Sequence, residues 1–292
     1  MAAETEIDPE LENLMLILAE HPSEKEKLIP RILEKLPWGC HPPLLIEKIE
    51  NPENRALLRD SVSRLISEKK RFGDLVTLLD MKETEDTREK GIFLFAMFAD
   101  DLDYRFDDFQ QLLDQLAQPL KERLETLDNP SEKTRINMFI QYFFRELGFG
   151  GNPGEPYSVD NHYAHKVIKA KKGGAIVLCV LANSIARRAG LELPVVITAG
   201  HYLLRTTIPR EIPFIDPFEN GRVLTEDEHV ANVAHKGYDP SIALLEIRSP
   251  AVLLQNLSRN LMHAAQMSGN HDLLDSQKEV RALLKEWLKT HD

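Results

Sequence analysis

The chain has 292 residues, 42% of them hydrophobic and 28% charged, which is the balance of an ordinary folded protein and not of a disordered one. Its 36 Lys and Arg stand against 47 Asp and Glu, and the resulting net charge of -11 argues against a nucleic-acid partner, whose phosphates it would repel. Two cysteines, Cys40 and Cys179, are too few for a disulfide framework and suit a reducing, cytoplasmic setting.

The N-terminus is acidic and lacks a basic stretch followed by an apolar one, so no signal peptide is expected. Asp8-Pro9 then reads as a helix cap with proline at the first helical position. Leu11, Leu14, Met15 and Leu18 follow at helical spacing. Ser23 with Glu26 three residues later predicts a capping box for a helix through Leu36. Pro37, Gly39 and Pro42-Pro43 break that helix, and Asn51-Pro52-Glu53 opens another. Residues 1–85 are therefore expected to be all-helical and repeat-like in build, although no fixed period runs through them. A charged stretch over 81–86 is the expected domain boundary.

Beyond it, Phe109, Leu112, Leu113, Leu116, Leu120 and Leu124 draw a helical stripe that Pro119 is expected to kink or divide. Asn129-Pro130-Ser131-Glu132 opens a helix with Ile136, Phe139, Ile140, Phe143 and Phe144 on its apolar face. The glycine-rich run 147–154 reads as a loop. It lacks the Lys-Ser/Thr of a phosphate-binding loop. A short helix is expected over 161–170. Gly173-Gly174 then introduces the longest apolar helix, 175–189, closed by Gly190. Asn183 and Ser184 interrupt that apolar run and Arg187-Arg188 follow it, so it is not expected to span a membrane. The basic groups over 166–172 and at Arg187-Arg188 read as solvated helix faces.

After this helix the period changes. Strands are expected over 194–198, 202–207 and at Phe214-Ile215, then a helix over 226–234, then an antiparallel pair of helices over 251–268 and 273–289. The fold class is α+β: a long helix packed on a small antiparallel sheet, flanked by N- and C-terminal helices. The domain division is 1–85, a core over 90–235, and a C-terminal helical pair over 236–292.

Chemistry concentrates between residues 173 and 221. A glycine-introduced helix start, His201 on one strand and Asp216 on the next make the layout of a cysteine hydrolase. Helix amides depress a thiol's pKa, a histidine takes the proton, and an aspartate orients the histidine. The stretch Phe144-Arg145-Glu146-Leu147-Gly148-Phe149-Gly150-Gly151-Asn152, the glycine-bounded helix, Gly200-His201-Tyr202, and Ile215-Asp216-Pro217-Phe218 with Gly221 together resemble the transglutaminase-like superfamily, in its divergent bacterial SirB-type branch. The resemblance implies a papain-like core over 90–235, with His201 as triad histidine and Asp216 as triad aspartate. It places the nucleophile two residues past the glycine that opens the helix, and that residue is Ala175. Such a departure is frequent in the branch, and it removes the thiol that acyl transfer needs.

Cys179 lies one helical turn beyond Ala175, about 6 Å along the axis, and reads as a small buried core residue before it reads as a substitute nucleophile. Cys40 lies in a proline-rich turn far along the chain, and no motif recommends Ser158 or Ser184. His162 and His165 are spaced for a metal pair but lack a third ligand, so no metal and no cofactor are expected. Two readings follow. One is a non-catalytic peptide- or protein-binding module, with no membrane partner. The other is a diverged hydrolase of amide or peptide bonds in which His201, oriented by Asp216, activates water.

Overall fold

The computed structural model describes residues 9–24, 27–28, 31–32, 74–75, 77–79, 85–96, 106–198, 201–239, 245–246 and 250–291. Cys40 and His41, the proline breakers around them, the helix expected at Asn51 and the loop glycine Gly200 lie outside these residues. The chain divides into two compact units, Met1–Thr77 and Leu78–Asp292. In the first, α1 (Pro9–Glu20) buries Leu11, Leu14, Met15 and Leu18, the four positions of its helical stripe. Its C-terminal end runs into a 3-10 turn at Pro22–Glu24.

The second unit opens with α2 (Glu85–Ala96) and α3 (Phe106–Glu125). Contrary to expectation, Pro119 does not divide α3. The proline ring is exposed, on the face opposite the buried Phe109, Leu113, Ala117, Leu120 and Leu124, so water can serve the carbonyl that loses its amide partner. Next comes α4 (Glu132–Ile140), capped by the Ser131 side chain, which accepts from the Thr134 amide. It continues into a π-helical turn at Gln141–Glu146. Phe143 stacks on Phe149 with ring centroids 4.5 Å apart and meets Phe144 edge-on at 4.9 Å, so the aromatic stripe is core.

The glycine-rich run is not wholly loop. Gly150–Gly151 forms β1, which pairs in parallel with β2 (Lys172–Gly173). Between them lie a 3-10 turn, Val159–His162, and α5 (Ala164–Ala170). The long apolar helix is α6 (Ala175–Arg188), buried from Ile176 to Ala186. Gly190 follows it at φ 78°, in the left-handed region that ends helices. Asn183, buried in mid-helix, donates to the Leu193 carbonyl at 3.0 Å and so ties the helix to the chain leaving it.

Arg187 and Arg188 are not simply a solvated face. Glu89 of α2 is fully buried and accepts from both guanidinium groups at 2.6–2.9 Å, while Arg188 also reaches Asp114 of α3 at 2.6 Å. A charged residue near the expected boundary thus clamps two helices to the end of α6.

Among the described residues the sheet has five antiparallel strands, in the order β6 (Arg222–Leu224), β5 (Phe214–Asp216), β4 (His201–Arg205), β3 (Val195–Thr198) and β7 (Leu245–Glu246). The expected three appear as β3 (Val195–Thr198), β4 (His201–Arg205) and β5 (Phe214–Asp216). Sequence reading missed β6 (Arg222–Leu224) and β7 (Leu245–Glu246). Period-2 alternation places Val196, Leu203, Phe214 and Leu224 in one buried cluster. After the sheet edge comes α7 (Glu226–His235), with a full capping box between Thr225 and Glu228. The last two helices are α8 (Pro250–Ser268) and α9 (His271–His291), which pack on each other. Because α8 also packs on α2, the helical pair belongs to the same compact unit as the sheet. Among the described residues no helix is long and apolar enough to cross a membrane.

Candidate functional site

The start of α6, the beginning of β4 and the end of β5 meet at one cavity. Register brings His201 opposite Thr198 at the β3–β4 end, and Asp216 ends the neighbouring strand. The Nε2–H of His201 donates to Asp216 Oδ2 at 2.7 Å. The other carboxylate oxygen accepts the amides of Phe218 at 2.9 Å and Glu219 at 3.1 Å. Asp216 is 4% exposed, so it is held on both oxygens inside the protein. With Nε2 donating to Asp216, Nδ1 is the ring nitrogen left for another partner.

The turn after Asp216 explains the flanking glycines. Gly221 donates to the Asp216 carbonyl at 2.8 Å with φ at 80°, and a Cβ there would stand 2.2 Å from the Phe144 ring. Gly151 donates to the Phe218 carbonyl at 3.0 Å, and a Cβ on it would come within 2.5 Å of that oxygen. The glycine-rich stretch is therefore the strap that holds the aspartate turn. Its glycines are there for close approach.

The cavity measures about 550 Å³, and Ala175, His201 and Asp216 all line it. Ala175 is the first residue of α6, with Gly174 as a cap that offers no side chain. Cys179 does not line the cavity. It is fully buried, and burial followed by the nearby Asp216 charge pushes its thiol well above the usual range, the reverse of what activates a nucleophile. Neither Ser158 nor Ser184 lines the cavity, and Ser184 is buried in α6.

His162 and His165 take separate surroundings. His162 is buried against Gly174, its Nδ1 3.2 Å from where a Cβ would stand, and burial lowers its pKa to about 4. His165 lies beside the Tyr163 ring, with centroids 6.2 Å apart. Among the described residues no group of three His, Cys, Asp or Glu is placed to hold a metal ion.

Sequence reading did not single out the far wall of the cavity. His229, Asn232, Val233 and Lys236 line it from α7, together with Thr198 and Arg222. Their spacing of i, i+3, i+4 and i+7 is one helical face, on which His229 and Val233 are buried while Asn232 and Lys236, the residue just past the helix, are exposed.

Fold and site together define a transglutaminase-like domain. The sequence profile of the transglutaminase-like superfamily matches residues 107–259, just over half of the 292, and the chain belongs to that superfamily. Among its relatives, a UPF0162 protein of Xylella fastidiosa is 32% identical over 160 residues, which cover 52% of this chain and 56% of that protein. Protein SirB1 of Salmonella typhimurium is 31% identical over 172 residues, 56% of this chain and 61% of its own length. A UPF0162 protein of Vibrio cholerae is 29% identical over 126 residues, 42% of this chain and 46% of that protein. The matched regions therefore span roughly half of each of these relatives. No solved structure matches the chain.

Proposed function

We propose that this chain is a transglutaminase-like, papain-like module that binds a peptide or protein segment in its cleft and transfers no acyl group. The observation that carries the proposal is the position of Ala175. A methyl lines the cavity beside His201 and Asp216 where the resemblance places the thiol, and the remaining cysteine of α6 is buried with its thiol pushed up. An acyl-enzyme needs a nucleophile within reach of the histidine, and alanine supplies none. The cleft that would hold the substrate chain nevertheless remains open. A partner for it is a protein or peptide met in the reducing cytoplasm, neither a nucleic acid nor a membrane.

The test uses the full chain, a degenerate peptide mixture and a fluorescent primary amine. Peptides are expected to be retained without covalent change, and Asn232→Trp, which puts an indole on the cavity lining, should reduce retention. Amine incorporation into the peptides, abolished by His201→Gln, would overturn the reading.

One observation favours a second reading, a diverged hydrolase of amide bonds. Asp216 still holds His201 at 2.7 Å, and the ring's free Nδ1 could take a proton from water. Peptide cleavage lost in both His201→Ala and Asp216→Ala, by about 10² to 10⁴-fold, would establish that role.

A further inference from the structure

We propose that α7 is a hinged wall of the cavity, latched by His229 and released when that ring takes up a proton. The motion belongs to the chain itself and does not depend on what the cleft binds.

Burial sets α7 apart from the other helix of the cavity. Between Thr225 and Asp239 only His229 and Val233 are buried. They stand four residues apart, so both point the same way from the helix. That way is the sheet. His229 meets the Phe214 ring with centroids 4.9 Å apart, and Phe214 belongs to the buried cluster with Val196, Leu203 and Leu224. Leu203 and Leu224 line the cavity with His229 and Val233. Two side chains of one helical turn thus close this wall against the apolar floor beside His201 and Asp216. By contrast α6, which reaches the cavity through Ala175, is buried from Ile176 to Ala186.

Both ends of α7 can turn without disturbing the core. The first turn is tied to β6 by the Thr225–Glu228 capping box and by Arg222, which meets Glu228 at 2.7 Å, and none of these three side chains is buried. At the far end Gly237 stands at φ 79°, in the left-handed region, and His235 to Asp239 are exposed.

The latch is a polar ring in an apolar seat. Thr198 Oγ1 lies 3.5 Å from Nδ1 and 3.4 Å from Nε2 of His229, at the long limit of a hydrogen bond. Burial lowers the pKa of the ring, which stands neutral while the wall is closed. Nothing around it balances an added charge. From β3 comes the Thr198 hydroxyl, from β5 the Phe214 ring, and from α6 only Ala175. The other ionisable groups of the cavity are His201 on β4, Asp216 on β5, Glu219 in the turn after it, Arg222 on β6, and His235 and Lys236 at the end of α7. Asp216 is taken by His201 and two backbone amides, and Glu219 is exposed. Glu228, next to His229 in the chain, is held by Arg222 and the Thr225 amide. With the wall open, the ring meets water and titrates near its ordinary 6.5. The open state therefore binds the extra proton, and the closed state loses ground as pH falls through about 6.5.

Hydrogen exchange of the full chain, read by mass spectrometry at about pH 7.5 and pH 5.5 and corrected for the intrinsic rate at each pH, tests this. The α7 amides should be less protected than those of α6 at both pH values, because the wall opens without the core. Their protection should fall roughly tenfold on going to the lower pH, as expected when one ring is protonated only in the open state. These readouts need no variant. His229→Phe should abolish the fall, and His229→Gln does the same with an uncharged side chain of another shape. His162→Phe, which removes the other buried ring whose pKa burial lowers, should leave the fall in place. In each variant, α6 protection above that of α7 shows a folded chain. Protection of α7 equal to that of α6 would overturn the hinge, since both would then open only with the whole unit. An α7 protection that does not change with pH would overturn the latch, as would a fall that persists without His229 or disappears in His162→Phe.

Discussion

Position 175 stands on the first helical turn, where unpaired amides and the helix dipole favour an anion. A thiol placed there would ionise more readily than a free cysteine, with His201 lining the same cavity. Ala175→Cys is therefore expected to alkylate with iodoacetamide at least about tenfold faster than the unmodified chain, with Cys179 unreacted in the native state. Equal rates, read by mass spectrometry of the modified peptides, would show that the cavity does not activate a thiol. The dyad has a structural role as well. Asp216→Ala strips acceptors from His201 and from the Phe218 and Glu219 amides, and should lower unfolding stability by about 1–3 kcal/mol in urea. The pairing of His201 with Asp216 beside the start of α6 was legible in the sequence because these residues sit in short motifs of glycines and a proline. His229 was not, because a helix shows its inward face only once its neighbours are known.

Among the elements, α6 is held at both ends, by the Gly174 amide, which donates to the Asn161 carbonyl at 2.8 Å, and by the buried Glu89 with Arg187 and Arg188. Removing one partner of a buried ion pair leaves the other charge uncompensated, so Glu89→Ala should cost about 3 kcal/mol or more by denaturant unfolding. A second change runs the other way. Pro119 lies on the exposed side of a continuous α3, and Pro119→Ala restores an amide donor and helix propensity without disturbing the core. It should raise stability by about 1–3 kcal/mol, visible as a higher denaturation midpoint. Elements with a long period were readable: the stripe of α3, the apolar run of α6, and the Val- and Thr-rich β3. Those that escaped are two or three residues long. β1 is Gly-Gly and β2 Lys-Gly, with almost no side-chain pattern to read, and β6 and β7 are defined by their pairing and not by composition. Charge also misled near residue 89, because a carboxylate looks like surface until its two arginines, about a hundred positions later, come into view.

For the molecule as a whole, acid is the condition that separates these buried groups. His162 is 7% exposed, and its pKa falls to about 4 from an ordinary 6.5 because burial penalises the charged ring. The pKa of His229 is also lowered by burial. In the unfolded chain both rings take up a proton near their ordinary value, whereas in the folded chain they resist. Between about pH 6.5 and pH 4 the unfolded state therefore binds more protons, and folding stability must fall as pH falls. For His162 alone the loss by about pH 4.5 is on the order of 2–3 kcal/mol, since one pKa unit corresponds to about 1.4 kcal/mol. The carboxylates with lowered pKa, Glu228 and Asp275, have ordinary values of 4.5 and 3.8, so their effect begins only at the acid end of that window and below it. Urea unfolding measured from about pH 7 to pH 4.5 should thus show a decline that begins near pH 6.5. Replacing the ring by an uncharged one of similar shape, His162→Phe, should flatten that decline even if it lowers stability at pH 7. An unchanged slope would mean that His162 reaches water in the folded protein, and that the turn packed against Gly174 opens more freely than its packing implies.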